Sequence, residues 1–329
     1  MNIQRRSIYR SAGRKRGGLL ILAIWTICLL TTFAVILSYG VRQKVTLIKR
    51  LDDRDRLRYI VDACVKRAII DLKRSVVSDE DKTKDNWNAI MSAEKEILLG
   101  EHLVKYEIID EERKINLNTA DRHTIKRLFQ LVVGLGEMDA QEIAASIVDW
   151  RDEDSMLSIA MGSAEDRYYE GRSYPYGAMD RDLEIPDEVL LIKGFTPEIL
   201  EKSKDYMTIY GDGKININTA PKEVFLVLGL SEYLSDLICL YRYGEDGIMG
   251  TGDDNYFDSR EKIMPDLSSF YHLSDSQVAE LSRIVNKHLT VDSHYFTVKG
   301  EVVLIKGKGS SSIACIIDHT GDVIYWHES

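Results

Sequence analysis

Residues 17–41 read GGLLILAIWTICLLTTFAVILSYGV, 25 positions without a charge. Gly18 to Leu37 alone supplies the ~20 apolar residues that a membrane-crossing helix needs. Before this stretch stand Arg5, Arg6, Arg10, Arg14, Lys15 and Arg16, and no acidic residue occurs before Asp52. The step from RKRG to uninterrupted hydrocarbon places one end of the chain in a membrane. Nearly everything after it is a polar, acidic, globular body on one side.

Three readings compete for this stretch. One is a signal anchor, a membrane helix and nothing more. The second is a secretory signal, for which the small residues Ser38 and Gly40 offer a cleavage site. The apolar run is longer than the ~7–15 residues of such a signal's core. The third is cleavage ahead of the apolar stretch, between Gly17 and Gly18, so that the helix stays on the mature protein. A basic leader that ends in glycine and is followed at once by an apolar helix resembles the type IV prepilin pattern.

The helical pattern continues past the lipid boundary. VRQKVTLIKRLDDRDRLRYIVDACVKRAIIDLKRS contains neither Gly nor Pro, and Val41, Val45, Ile48 and Leu51, then Leu57, Ile60, Cys64 and Ala68, recur at spacings of three and four. That is an amphipathic helix with its charges on the other face. The spacing predicts one helix of about 50–60 residues, apolar all round in its first half and one-sided in its second. A discarded signal would have no reason to run into such a helix.

Removal of residues 1–17 would leave 37 basic against 53 acidic side chains, a net −16. So acidic a chain is not built to sit on nucleic acid or an anionic membrane surface. Of the four cysteines, Cys28 lies in the apolar helix, and Cys64, Cys239 and Cys315 show no CxxC spacing, which argues against zinc. A disulfide among those three stays open in an oxidising compartment, with buried free thiols as the simpler reading.

Residues 76–100 read as a polar loop and a short helix, and His102 to Glu111 as a strand. A repeat follows. KINLNTA at 114–120 returns as KININTA at 214–220, and each copy precedes a helix, a Gly-Leu turn and a second helix. Residues 190–206 are a partial third echo. Asn118 or Thr119, and Asn218 or Thr219, are placed to accept the first free helical N–H groups. The paired helices look like helix-hairpin-helix units. That family often holds DNA through its turns, but the turns here carry acid rather than Lys or Arg, and packing modules are the better reading.

Two acidic stretches interrupt the helices. The first includes Asp149, Asp152, Asp154, Glu165 and Asp166, and the second Asp246, Asp253, Asp254 and Asp258 in a Gly-rich loop. Neither has EF-hand spacing. Solvated loops are one reading of each. The other is Ca²⁺, which takes six to eight hard oxygen donors in flexible loops. The chain then closes with strand-like segments at 295–305, 311–318 and 322–327. With the strand at 102–110 these make about four strands against the long helix, a sheet interrupted in sequence by the whole helical stretch.

The Gly17/Gly18 leader, the duplicated NxNTA, DWRDEDS with SAEDRYY, and the closing YWHE together resemble the K-class minor pseudopilins of type II secretion systems, over essentially the whole chain. The resemblance implies an α+β fold: a long N-terminal helix on an antiparallel sheet, with a large helical domain inserted in the sheet. The parts are a leader (1–17), a transmembrane half-helix (18–41), an amphipathic helix and first part of the head (42–113), an inserted helical domain (114–290) and the closing strands (291–329). It also implies structural Ca²⁺ in the insertion, cleavage and N-methylation by the prepilin peptidase, and a place at the pseudopilus tip. Partners would be the I- and J-class minor pseudopilins, the inner-membrane secretion platform and exported proteins, and not nucleic acid. The chain would sit in the bacterial inner membrane as a single-pass protein with its head in the periplasm. Pilins generally carry Glu at mature position five, where this chain has Leu22, and the K class likewise lacks it.

No nucleophile elbow, P-loop or HExxH occurs, and the seven histidines form no cluster, so an enzymatic role is not expected. Two other classes compete: a type IV pilus or DNA-uptake component, which a basic stripe on the insertion would favour, and a plain membrane-anchored binding protein, which would keep its leader.

Overall fold

The structure, a computed structural model, describes residues 16–77, 95–99, 102–160, 162–247, 251–303 and 310–328. The leader predicted at 1–17 therefore lies outside the described residues up to Lys15. The chain divides into two compact units, Met1–Tyr59 and Ile60–Ser329.

Helix α1 runs over Arg16–Val77, 62 residues, slightly longer than its periodicity predicts. Within the first unit, Gly18–Lys49 is long and apolar enough to cross a membrane, and none of it is buried by protein. Among the described residues, no other helix meets that description.

In the second unit the C-terminal part of α1 turns one face inward, burying Val61, Cys64, Val65, Ala68 and Leu72. That face packs on a five-stranded sheet whose strands are β1 (Lys95–Leu99), β2 (His102–Asp110), β3 (Tyr295–Val303), β4 (Ser310–Asp318) and β5 (Val323–Glu328). They pair in that order, all antiparallel. Alternate residues point to one face of a strand, and here Val104, Tyr106, Ile108, Phe296, Val298, Val302, Ile313, Cys315 and Ile317 are buried. Gly300 stands opposite Tyr106 and Ile313 on the same face. A Cβ there would lie 3.0 Å from Val61 Cγ1 and 3.2 Å from Val65 Cγ2, so the missing side chain is what admits the helix.

Of the polar loop and short helix expected over 76–100, residues 78–94 lie outside the described residues, Lys95–Leu99 is strand β1 instead, and the sheet has five strands rather than four. KEILL fits one turn of helix as well as a strand, and what decides is the adjacent β2, which pairs with every residue of β1 from Lys95↔Tyr106 to Leu99↔His102.

The sheet is a meander opened between β2 and β3 by Glu111–His294. This insertion holds the two repeats around one apolar core that includes Leu117, Ile125, Phe129, Ile147, Ile217, Phe225 and Ile238. In the first repeat, α2 (Arg122–Leu128) continues through a π-helical turn, Phe129–Val133, to left-handed Gly134 and then α3 (Glu137–Arg151). In the second, α4 (Lys222–Leu228) ends at left-handed Gly229 and is followed by α5 (Glu232–Arg242). Helix α6 (Asp275–His288) starts with a capping box of Ser274 and Gln277.

The NxNTA turns do not cap helices as expected. The N-cap of α2 is Asp121, whose side chain accepts from Thr124 N, and that of α4 is Pro221. The asparagines staple distant segments instead. Asn118 donates to the carbonyls of Leu183 and Ile209 and accepts from Leu183 N. Asn218 does the same with both backbone groups of Phe257. Behind each turn an arginine closing the second helix donates to its carbonyls: Arg151 to Leu117 and Ala120, Arg242 to Ala220.

Three consecutive acids join insertion and sheet, a feature with no local signature in the sequence. Asp110, Glu111 and Glu112 are all buried. Asp110 Oδ2 accepts from Thr219 Oγ1 and Ser293 Oγ, at 2.5 and 2.6 Å. Glu111 pairs with Lys114 at 2.5 Å and also accepts from the Thr208 and Thr297 hydroxyls. Glu112 accepts from the backbone N–H groups of His294 and Tyr295. Both ends of the insertion are thereby tied at one point.

Candidate metal centre

The first acidic stretch is built on the C-terminal end of α3. Trp150 in its last turn is fully buried, donates to Glu188 Oε1 at 3.0 Å, and packs edge-on against Tyr169 with ring centres 5.1 Å apart. This clamp fixes Asp149 before it and Asp152 after it. The loop that follows folds on itself: Ser158 N donates to Asp149 Oδ1 at 2.9 Å, and Met156 N donates to Asp154 Oδ1 at 2.7 Å. Lys193 Nζ holds the Gly162 carbonyl at 2.6 Å. The chain then returns with Glu165 as N-cap of the short helix Asp166–Glu170, its side chain making no capping bond.

The result gathers three carboxylates. Asp152, Asp154 and Glu165 each offer an oxygen within 4.8 Å of the others. Asp149 Oδ2, Asp152 Oδ1 and Glu165 Oε1 are buried and accept no hydrogen bond. Burying such atoms unpartnered is costly, more so when they are charged. Glu165 is pushed up to about 7, first by burial and then by the charges of Asp149, Asp152, Asp180 and Asp166. Asp152 is raised by burial, then by Asp154 and Asp149. Self-repelling carboxylates with inward, unpartnered oxygens form a donor set of the hard type that suits Ca²⁺.

Asp166 faces elsewhere: its Oδ1 accepts from Ala178 N at 2.8 Å. It thereby holds a third arm, which brings in Asp180, a residue outside both acidic stretches picked out by sequence. Asp180 adopts φ 51°, donates its N–H to the Trp150 carbonyl at 3.1 Å, and adds its charge at both Asp152 and Glu165. Nothing in the spacing of DWRDEDS and SAEDRYY points that far along the chain.

The second acidic loop differs. Asp253 Oδ2 accepts from Glu245 N and Asp246 N, and its Oδ1 from Thr251 Oγ1, which lowers it to about 2. Asp258 pairs with Lys262 at 2.9 Å, and Asp254 is buried, with Oδ2 accepting from Thr251 N. Residues 248–250 of this loop lie outside the described residues. Among the described ones, the structure brings Asp152, Asp154 and Glu165 within a shared metal-ligand distance but not Asp246, Asp253, Asp254 and Asp258. At the membrane end, Gly18 and Leu22 lie on exposed positions of α1. Cys64, Cys239 and Cys315 are buried free thiols.

A long apolar-to-amphipathic helix, an antiparallel meander and a helical insertion with a carboxylate site define a pilin-like protein with an elaborated head. The family described as type II secretion system protein K matches residues 102–212. Type II secretion system protein K of Aeromonas hydrophila is 30% identical over 97 residues, and that stretch spans 29% of each chain. A chain in the crystal structure of the GspK-GspI-GspJ complex from enterotoxigenic Escherichia coli superposes with a TM-score of 0.63 at 16% identity, covering 85% of this chain and 98% of that one. Residues 102–212 are thus similar to the type II secretion system protein K family, and the chain shares the fold of the chain in that complex.

Proposed function

We propose that this chain is the non-catalytic minor pseudopilin that caps the tip of the type II secretion pseudopilus and helps to initiate its assembly for protein export. The observation that carries the reading is Leu22, fifth from Gly18 and 65% exposed on the apolar part of α1. In pilins a glutamate at that place can pair with the amine of a neighbouring subunit's first residue. A subunit without it has no carboxylate to offer a partner above and is suited to be topmost. The bulk of Glu111–His294 supports the same position. An unpaired acid at the bilayer centre would also cost at least ~2.5 kcal/mol, so Leu22 lowers the cost of the membrane stage as well.

In this reading the prepilin peptidase cleaves between Gly17 and Gly18 and methylates the new amine, and the head lies in the periplasm. The I- and J-class minor pseudopilins are the neighbours, a pairing supported by the three-protein complex named above. The secretion platform and exported proteins are further partners. Asp152, Asp154 and Glu165, with Asp149 and Asp180 beside them, would hold a structural Ca²⁺, whose charge would balance theirs.

Mass spectrometry of the terminal peptide of protein isolated from membranes tests the reading. N-methylated Gly18 is the expected start. A start at Val41 would mean a secretory signal, and an intact Met1 a signal anchor, and either would sink the pseudopilin processing.

A further inference from the structure

A cleft of about 350 Å³ opens between the two repeats, where the start of α2, the end of α4 and the last turns of α6 meet. Its charge runs against that of the chain, which is net −10. Arg127, Arg283, Lys287, His123 and His288 line it around a single acid, Asp121. Asp121 is engaged as the cap of α2, accepting from Thr124 N at 2.8 Å. Arg127 is also fixed, donating to the carbonyls of Val227 and Leu226 at the end of α4.

Arg283 and Lys287 are different. They are exposed and stand four residues apart on α6, so their Cβ atoms are ~5–6 Å apart on one helix face. Neither is within ion-pair distance of a carboxylate among the described residues. Several other exposed or half-buried lysines of this head do find acids: Lys66 with Asp62, Lys126 with Glu137, Lys204 with Glu201, Lys222 with Asp236, Lys262 with Asp258. Lys287 reaches Asp121 only as a longer-range charge, so in so acidic a chain these two cations of one cleft, neither in an ion pair, are ready to receive carboxylates from outside.

Of the other lining residues, Val227 and Ile284 are 1% and 3% exposed and belong to the core, which leaves the half-buried Leu228 as the apolar surface of the cleft. Gly229, at φ 97°, leaves open space where a side chain would stand, so a backbone can approach there. Two exposed cations beside a glycine that admits a backbone suit a carboxylate-bearing peptide better than a nucleic-acid backbone. A long polyanion would also meet the repulsion of the acidic chain as a whole.

We propose that this cleft docks an extended, carboxylate-rich peptide segment of a second protein, with Arg283 and Lys287 pairing its acidic side chains and the half-buried Leu228 meeting an apolar neighbour. Acidic-motif recognition by clustered cations is a recurring mode. The proposal stands on the charges of this chain and does not depend on its place in the pseudopilus.

The test uses the full-length protein in a neutral detergent and a fluorescein-labelled hexapeptide alternating Glu and Leu, read by fluorescence anisotropy at low ionic strength. Saturable binding is expected. It should weaken about tenfold or more in the R283E/K287E double variant and fall at about 0.5 M salt, as expected for exposed charge pairs. The same peptide with Gln for Glu should not bind. R283Q/K287Q gives an intermediate case, and circular dichroism melting checks that both variants fold. Absence of binding, or equal binding by the double variant or the Gln peptide, would overturn the proposal. So would tighter binding of a short DNA duplex lost in the same variant, which would assign the cleft to phosphate. Self-association lost in the variant would assign it to a second copy and likewise overturn it.

Discussion

The carboxylate of Asp110, at the last residue of β2, accepts a 2.5 Å hydrogen bond from the hydroxyl of Thr219 in the second NxNTA turn. Both residues are buried, and 109 positions separate them. This bond ties the sheet to the far repeat of the insertion. Thr219→Val keeps the shape of the side chain and removes the donor, leaving Asp110 Oδ2 with Ser293 alone among its hydroxyl donors. A buried acceptor that loses a partner costs about 1–3 kcal/mol. Urea unfolding should show Thr219→Val less stable by about that amount, and Thr219→Ser close to the parent.

Glu112 makes stability at this junction depend on pH. Burial first, and then the Asp110 charge, push it up to about 8 from 4.5, although two backbone N–H groups pull the other way. The other facing group is His294, whose Nδ1 is 3.7 Å from Oε1. A carboxyl raised in the folded state favours folding when protonated. Its contribution is complete below about pH 4.5 and is lost as pH rises through about 8. The melting temperature should therefore decline from about pH 5 to about pH 9, and Glu112→Gln should flatten that decline. An unchanged slope in the variant would place the effect elsewhere.

The strongly periodic parts are legible in the sequence. Helix α1 follows from Val41, Val45, Ile48 and their successors, the repeats from KINLNTA and KININTA, and the closing strands from alternation in residues 295–327. What escapes depends on distant partners. KEILL becomes a strand only because residues 102–106 return beside it. Asn118 resembles a helix cap until its partners at Leu183 and Ile209 are known. Asp110 and Glu111 read only as the end of a strand, yet a donor to Glu111 lies 186 positions away. Asp152, Asp154 and Glu165 stand out by their local clustering. Asp180 does not, because only the fold of the third arm carries it there.

Gly300 gives a steric test of how α1 seats on the sheet. A Cβ would meet two valine methyl groups and has the Val61 carbonyl oxygen at 3.8 Å. Gly300→Ala must displace Val61 or Val65 by a few tenths of an ångström, and overpacking of this kind typically costs about 1–3 kcal/mol. Gly300→Leu should prevent the helix from seating. Limited proteolysis should then cut within Ile60–Val77, where the parent is protected, and the double variant Gly300→Ala/Val61→Ala should regain most of the loss.

The acidic site predicts a response to calcium. Without a cation, Asp149, Asp152 and Glu165 keep buried oxygens that accept no hydrogen bond, in mutual repulsion. A bound cation would relieve both. A ligand at one hundred times its Kd stabilises by about 2.7 kcal/mol, which for a body of this size is about 5–10 °C in Tm. Calcium added after chelation should raise the melting temperature of the head by that order. Asp152→Asn with Glu165→Gln should melt higher than the chelated parent, since it removes the repulsion, and should no longer respond to calcium. Asp253→Asn is the control, because its carboxylate is already engaged by Glu245, Asp246 and Thr251. It should lower stability through the lost turn while leaving the calcium response of the first site intact. A response abolished by Asp253→Asn and kept by the other pair would move the metal to the second loop.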